Sequence, residues 1–160
     1  MGQAKSVTES SMVMVRLMMP MDANVQGYVY GGSIMKNMDE VAGVVAARHA
    51  RMNIVTASID RMDFYAPVHL GNMLILKASV NYVGRTSMEV GVRIEAEDLK
   101  TGTITHTGSS YLTFVGLDDR GRPAPLPKVI PETDVEKRRF KEAEERRRIR
   151  LQTLGKMPRR

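Results

Sequence analysis

One long helical pattern standing ahead of four strand patterns restricts this chain more than any other feature. From about Gly31 to Arg51, Ile34, Met35, Met38, Val41, Ala42 and Val45 recur at steps of three and four, the period of a helix with one apolar face. Residues 53–64, 72–83, 87–98 and 103–117 then read as strands. In the second of these, Leu74, Leu76, Ala78, Val80 and Tyr82 fall on one face. In the third, Met88, Val90, Val92, Ile94 and Ala96 oppose Glu89, Arg93, Glu95 and Glu97. Half-buried antiparallel strands alternate in this way. Gly108 is the expected place for a bulge in the last and longest strand. Ahead of the helix, residues 11–19 (SMVMVRLMM) read as a strand that is apolar on both faces. The turns at 84–86 and 99–102 are short, as between sequential antiparallel strands. This order predicts an α+β fold in which a five-stranded antiparallel sheet wraps around one long central helix. One helix cannot cover both faces of such a sheet, so a second copy of the chain is expected to cover part of it.

At 160 residues the chain has the size of one domain. No apolar run approaches the roughly 20 residues of a membrane helix, and no secretory pattern opens the sequence. The expected compartment is therefore cytoplasmic, with no membrane partner. Cysteine is absent, which excludes disulfides, thiol nucleophiles and thiolate metal ligands. The net charge of +6 is concentrated late: residues 132–160 hold eleven Lys and Arg against six Asp and Glu. A nearly neutral body with a charged tail argues against a nucleic-acid-binding face. Residues 118–133 are Pro-rich and read as a linker. Thr133 and Glu136 fit a capping box that opens a C-terminal helix, with Glu142–Arg146 and Glu144–Arg148 as expected ion pairs at four-residue spacing. The expected division is a domain at 1–131 and a basic helical tail at 132–160, the tail solvated and at most weakly docked.

The chemistry is sparse. The phosphate-binding glycine loops and the G-x-S-x-G elbow are missing. His49, His69 and His106 lack metal-ligand spacing and read first as structural, His49 as a cation at a helix C-terminus. The unusual stretch is MDANVQGYVYGGSIMKNMDEVAG, residues 21–43. It places Asp39 at the edge of a core-facing helical stripe, two turns after the Gly31-Gly32 pair, with Asn24 in the preceding loop. Free backbone N–H groups at a helix start form an oxyanion site. An amide orients a carbonyl or a water, and a carboxylate serves as base. That set suits acyl transfer to water without a serine or cysteine nucleophile; a solvated helical Asp is the plainer alternative.

Four blocks carry a resemblance: PMDANVQGYVYGGSIMKNMDE (20–40), SIDRMDFYAPVHLGN (58–72), VNYVGRTSMEVGV (80–92) and SSYLTFVGLDDRGRPAPLP (109–127). Together they resemble the hot-dog-fold acyl-CoA thioesterases of the YciA and brain acyl-CoA hydrolase type over roughly residues 11–127. The resemblance implies a hot-dog fold that hydrolyses acyl-CoA to a fatty acid and coenzyme A. Asp39 would be the catalytic carboxylate, as general base or nucleophile. Asn24 would come from the other subunit of a dimer, and Gly31 and Gly32 would polarise the thioester carbonyl. Gly84, Arg85, Thr86 and Ser87 would contact CoA, and Arg61 would be either a second CoA contact or one half of an ion pair with Asp60, Asp63 or Glu89. A homodimer, assembled further into a trimer of dimers, is implied. No metal and no cofactor is implied beyond coenzyme A within substrate and product. The rival expectation is a non-catalytic CoA- or acyl-binding regulator on the same fold.

Overall fold

The computed structural model describes residues 3–156. In chain order the elements are β1 (Lys5–Ser6), β2 (Met12–Leu17), a 3-10 turn (Pro20–Asp22), α1 (Gly31–Ala50), β3 (Asn53–Phe64), β4 (Met73–Val83), β5 (Ser87–Asp98), β6 (Thr103–Leu117), β7 (Val129–Ile130) and α2 (Asp134–Lys156). The main sheet has the order β2-β4-β5-β6-β3 and is antiparallel throughout. It curves around α1, which buries Ile34, Met38, Val41, Ala42, Val45 and Ala46 against the alternating faces of β4, β5 and β6. Apolar residues at helical period on one element and at period two on the others leave this as the arrangement that removes both from water. Arg51 closes α1 in the left-handed region, its N–H donating to Ala47 O at 2.8 Å. The chain then turns directly into β3, an edge strand.

Three features depart from the expected arrangement. The inward face of β4 runs Leu74, Leu76, Ala78, Val80 and then breaks. A bulge at Asn81 shifts the register between Val80 and Tyr82, so Val83 takes the core position and Tyr82 turns outward. The bulge in β6 falls at Thr107, one residue before Gly108, and Thr107 Oγ1 donates to Ile94 O. Gly108 serves instead a close strand approach: a Cβ there would lie 2.7 Å from Asp63 O. The Pro-rich stretch is not a free linker, since Leu126 and Val129 are buried and β7 pairs in parallel with β1.

The tail is also docked more firmly than its composition suggested. The capping box forms as expected, Glu136 N donating to Thr133 Oγ1 and Thr133 N to Glu136 Oε2. From there α2 crosses the outer face of the sheet. Ala143 is fully buried, and the Phe140 ring packs on Tyr82 at 4.9 Å between centroids. Arg146 does not pair along the helix with Glu142. It turns inward and grips Glu89 with two hydrogen bonds of 2.7 and 3.0 Å, its guanidinium 3.7 Å from the Tyr111 ring centroid. Among the described residues the helical pairs that do form are Asp134–Lys137, Arg138–Glu142 and, in place of the expected Glu144–Arg148, Glu145–Arg148. Glu89, buried on the outer face, supplies the reason: a desolvated carboxylate demands a cation more than an exposed one does. No helix among the described residues is long and apolar enough to cross a membrane.

Candidate active site at the start of the central helix

The loop that carries Asn24 is built from its own hydrogen bonds. Asn24 Oδ1 accepts from Gln26 N (2.9 Å) and Tyr28 N (3.1 Å), and Asn24 N donates to Tyr28 O. Gly27 takes a φ of 81° to close the turn. The asparagine carbonyl therefore shapes the loop, and its Nδ2 amide is left as the donor. A second network fixes the loop against the helix. Arg16 reaches Asp22 Oδ1 and Asn37 Oδ1, both at 3.1 Å. Asp22 Oδ2 accepts from Met19 N, and Asn37 Nδ2 donates to Ser33 O. Asp22 is 4% exposed and Asn37 1%. The Asp22 carboxylate, in the 3-10 turn, is thus held by Arg16 of β2 and by the N–H of Met19, and Arg16 links it to Asn37 on the helix.

Helix α1 starts without a side-chain cap, and its first internal bonds run from Ser33 and Ile34 to Tyr30 O. The N–H groups of Gly31 and Gly32 precede those bonds at the positive end of the dipole. Gly32 has no room for a side chain in this arrangement, since a Cβ would lie 2.8 Å from the Tyr30 ring. Beside the helix start lies an open, mainly apolar cavity of about 370 Å³, lined among others by Tyr28, Gly31, Ile34, Phe64 and Val68.

Two turns into α1, Asp39 is half-buried, and Thr56 Oγ1 donates to its Oδ1 at 2.9 Å. Thr56 was not singled out in the sequence: it is one residue of an alternating strand, and only the packing of β3 on α1 brings it to Asp39. Asn24 and Asp39 of the same chain share no hydrogen bond among the described residues.

The hairpin tip is tied down through its carbonyls. Gly84 O accepts from Lys128 Nζ (2.7 Å), Arg85 O from Leu126 N, Thr86 O from Gly116 N and Ser87 O from Gly84 N. The Arg85 side chain is exposed and has no ion-pair partner among the described residues. Met88, Phe114 and Thr56 are in register across β5, β6 and β3, so Met88, which follows the tip, lies about 10 Å from Thr56 at two strand spacings, at the same end of the sheet. Arg61 pairs with Asp63 at 2.7 Å; of its other proposed partners, Asp60 pairs with Arg150 and Glu89 with Arg146.

The histidines stand apart from Asp39. His49 is fully buried, its Nε2 3.0 Å from Pro127 O and its Nδ1 without a partner among the described residues. Burial pushes its pKa below the ordinary value, so at neutral pH it is uncharged and does not act as the cation expected at a helix end. His69 packs on Tyr28, and His106 bonds at the Thr107 bulge.

The family model described as "Thioesterase superfamily" matches residues 26–103. YkhA of Bacillus subtilis, named as an uncharacterized acyl-CoA thioester hydrolase, is 41% identical over 128 residues, covering 80% of this chain and 74% of that protein. The crystal structure of an apo-hexameric acyl-CoA thioesterase superposes with a TM-score of 0.93 at 39% identity, covering 98% of this chain and all of that one. An acyl-CoA hydrolase from Staphylococcus aureus, solved with butyryl coenzyme A, coenzyme A and coenzyme A disulfide, superposes with a TM-score of 0.88 at 40% identity, covering 95% and 93%. That enzyme has also been solved with an aspartate, a threonine or an asparagine replaced by alanine. Identity at this level along nearly the whole chain, on a sheet wrapped around one helix, places the protein by descent as well as by shape: the chain belongs to the thioesterase superfamily, among the hot-dog-fold acyl-CoA thioester hydrolases.

Proposed function

We propose that this protein hydrolyses acyl-CoA thioesters at a site built from Asp39 and Thr56 of one subunit and Asn24 of its partner. The observation that carries this is the Thr56–Asp39 hydrogen bond two turns into α1, which holds one carboxylate oxygen and leaves the other without a partner among the described residues. Further support comes from spacing. The three residues replaced in the Staphylococcus aureus enzyme are separated by 15 and 17 residues, the same intervals as Asn24, Asp39 and Thr56.

Asp39 acts as general base. Its free oxygen takes a proton from water, and the water oxygen bonds to the thioester carbon. The carbonyl electron pair moves onto oxygen, facing the N–H groups of Gly31 and Gly32 and the Nδ2 of Asn24. Collapse breaks the C–S bond, and the proton held by Asp39 passes to the departing sulfur. The products are a fatty acid and coenzyme A; the balance needs no metal and no further cofactor. Arg85, at the tip formed with Gly84, Thr86 and Ser87, faces the phosphates of CoA, whereas Arg61 is held by Asp63. The reacting groups lie within residues 1–131, and 132–160 supplies none of them. A dimer is the smallest active unit, and the hexameric relatives support a trimer of dimers.

Release of free thiol from acyl-CoA by purified protein tests the reaction and separates a hydrolase from a regulator that only binds CoA. Asp39→Asn keeps the shape and removes the base, so kcat should fall on the order of 10²–10⁴-fold. A folded variant that keeps a tenth or more of wild-type turnover overturns the assignment. In single turnover in ¹⁸O-water, the label should enter only the fatty acid and never the Asp39 carboxylate.

A further inference from the structure

Strand β3, which brings Thr56 to Asp39, is weakly determined by its own ladder just beyond that residue. Its pairing with β6 loses register twice, between Thr56 and Ser58 and between Ile59 and Arg61. Each break leaves an unpaired residue, Ala57 and Asp60, and bends the strand. The other side of β3 is a sheet edge in this chain, so its second ladder is open to another chain. Within the chain, an anchor for this segment comes from outside the sheet.

That anchor comes from α2. Arg150 forms an ion pair with Asp60, the residue at the second bulge, and both side chains are only 18% exposed. The same carboxylate accepts Ser58 Oγ at 3.1 Å, which binds the first bulge to the second. One turn earlier on α2, Arg146 is fastened to Glu89 of β5. Arg146 and Arg150, four residues apart, thus lie on one helical face, and α2 spans from the middle of the sheet to its edge. A flexible surface pair within one element, such as Arg138–Glu142, cannot carry position in this way. A guanidinium on a half-buried carboxylate between two elements can, because its planar fork is pre-organised.

We propose that Arg150, acting through Asp60, is a positioning residue for Thr56, so that α2 braces the active site without entering it. This rests on the assignment of Asp39 and Thr56 to catalysis. Full-length assembled enzyme carrying Arg150→Gln, Arg150→Lys, Asp60→Asn, Thr56→Val and the double variant Arg150→Gln/Thr56→Val is compared by kcat, KM and melting temperature. Misplacement of a catalytic group from a distance costs up to about 100-fold. Arg150→Gln and Asp60→Asn should each lower kcat about 10-fold or more within that bound with KM nearly unchanged, and Arg150→Lys should keep most of it. In the Thr56→Val background, Arg150→Gln should add no further loss in kcat. Asp60→Asn leaves the Arg146–Glu89 attachment in place and carries the test if Arg150→Gln fails to fold. Wild-type kcat in Arg150→Gln or Asp60→Asn, alongside a low kcat in Thr56→Val, sinks the brace alone, as do losses that multiply in the double variant. Wild-type kcat in both Thr56→Val and Asp39→Asn sinks the site assignment, and the brace with it.

Discussion

Asn24 shows how much one side chain carries at the residue scale. Its carbonyl oxygen closes the loop, and its amide is the donor that the proposed site requires, so the residue type is doubly constrained. Asp39 stood out by its place at the edge of an apolar stripe, and the resemblance, not that place, implied its catalytic role. Thr56 did not stand out, because a threonine in a strand is ordinary and its importance lies wholly in what packs against it. His49 offers a test of a different kind. Its folded pKa lies below the ordinary value near 6.5 that it has when unfolded. The unfolded chain therefore binds the proton more readily, and the contribution of neutral His49 is full above about pH 6.5. It is lost as the pH falls through the lowered folded value. Lys5, whose Nζ donates to His49 O, and Glu9 face the same end of α1 and pull in opposite directions. Denaturation midpoints should fall with pH below that point in wild type and flatten in His49→Gln; parallel pH profiles for the two would refute this.

Among the elements, α2 departs furthest from what its composition suggests. Arg-rich sequence with sparse apolar residues reads as solvated, yet Ala143 is buried and Arg146 closes over Glu89, whose side chain is 2% exposed. Removing one partner of a buried pair leaves an uncompensated charge and costs about 3–5 kcal/mol, whereas replacing both with apolar groups is often neutral or stabilising. Arg146→Met should therefore lower stability by about that amount, and Glu89→Leu/Arg146→Met should recover most of it. Urea denaturation at one fixed protein concentration measures both. A single variant as stable as wild type would mean that the Arg146–Glu89 pair does not help to hold α2.

For the whole molecule, the single chain is incomplete as it stands. Val13 and Val15 on β2 are 56% and 53% exposed, and Val55 and Ile59 on β3 are 46% and 39%. The sheet thus leaves apolar side chains exposed at both edge strands, as surfaces covered by another chain do. Light scattering should find a dimer or larger. Shared sites make a sharper prediction. Asn24→Asp keeps the loop-closing acceptor and removes the amide donor; alone, it and Asp39→Asn should each be nearly inactive. Refolded together in equal amounts, half of the dimers are mixed, and each mixed dimer has one site with both residues intact, for about a quarter of wild-type activity. No recovery would place Asn24 and Asp39 of one site in the same subunit.

The sequence by itself determined the number, type and order of the main elements. The periods of 3.6 and 2 report which faces are apolar, and burying those faces admits few arrangements of one helix and five strands. It also marked Asn24, Asp39 and the double glycine, because a local pattern that breaks its own rule is visible in one dimension. Only the tertiary structure decided the rest. A one-residue bulge at Asn81 sends Tyr82 from the core to the outer face, and no alternation pattern announces where a ladder slips. Arg146 chose Glu89 over Glu142, and Arg150 chose Asp60, because burial sets how much a charge pair matters and burial depends on what crosses above it. Thr56 met Asp39 for the same reason: a hydrogen bond between residues 17 apart exists only once a strand has been laid on a helix.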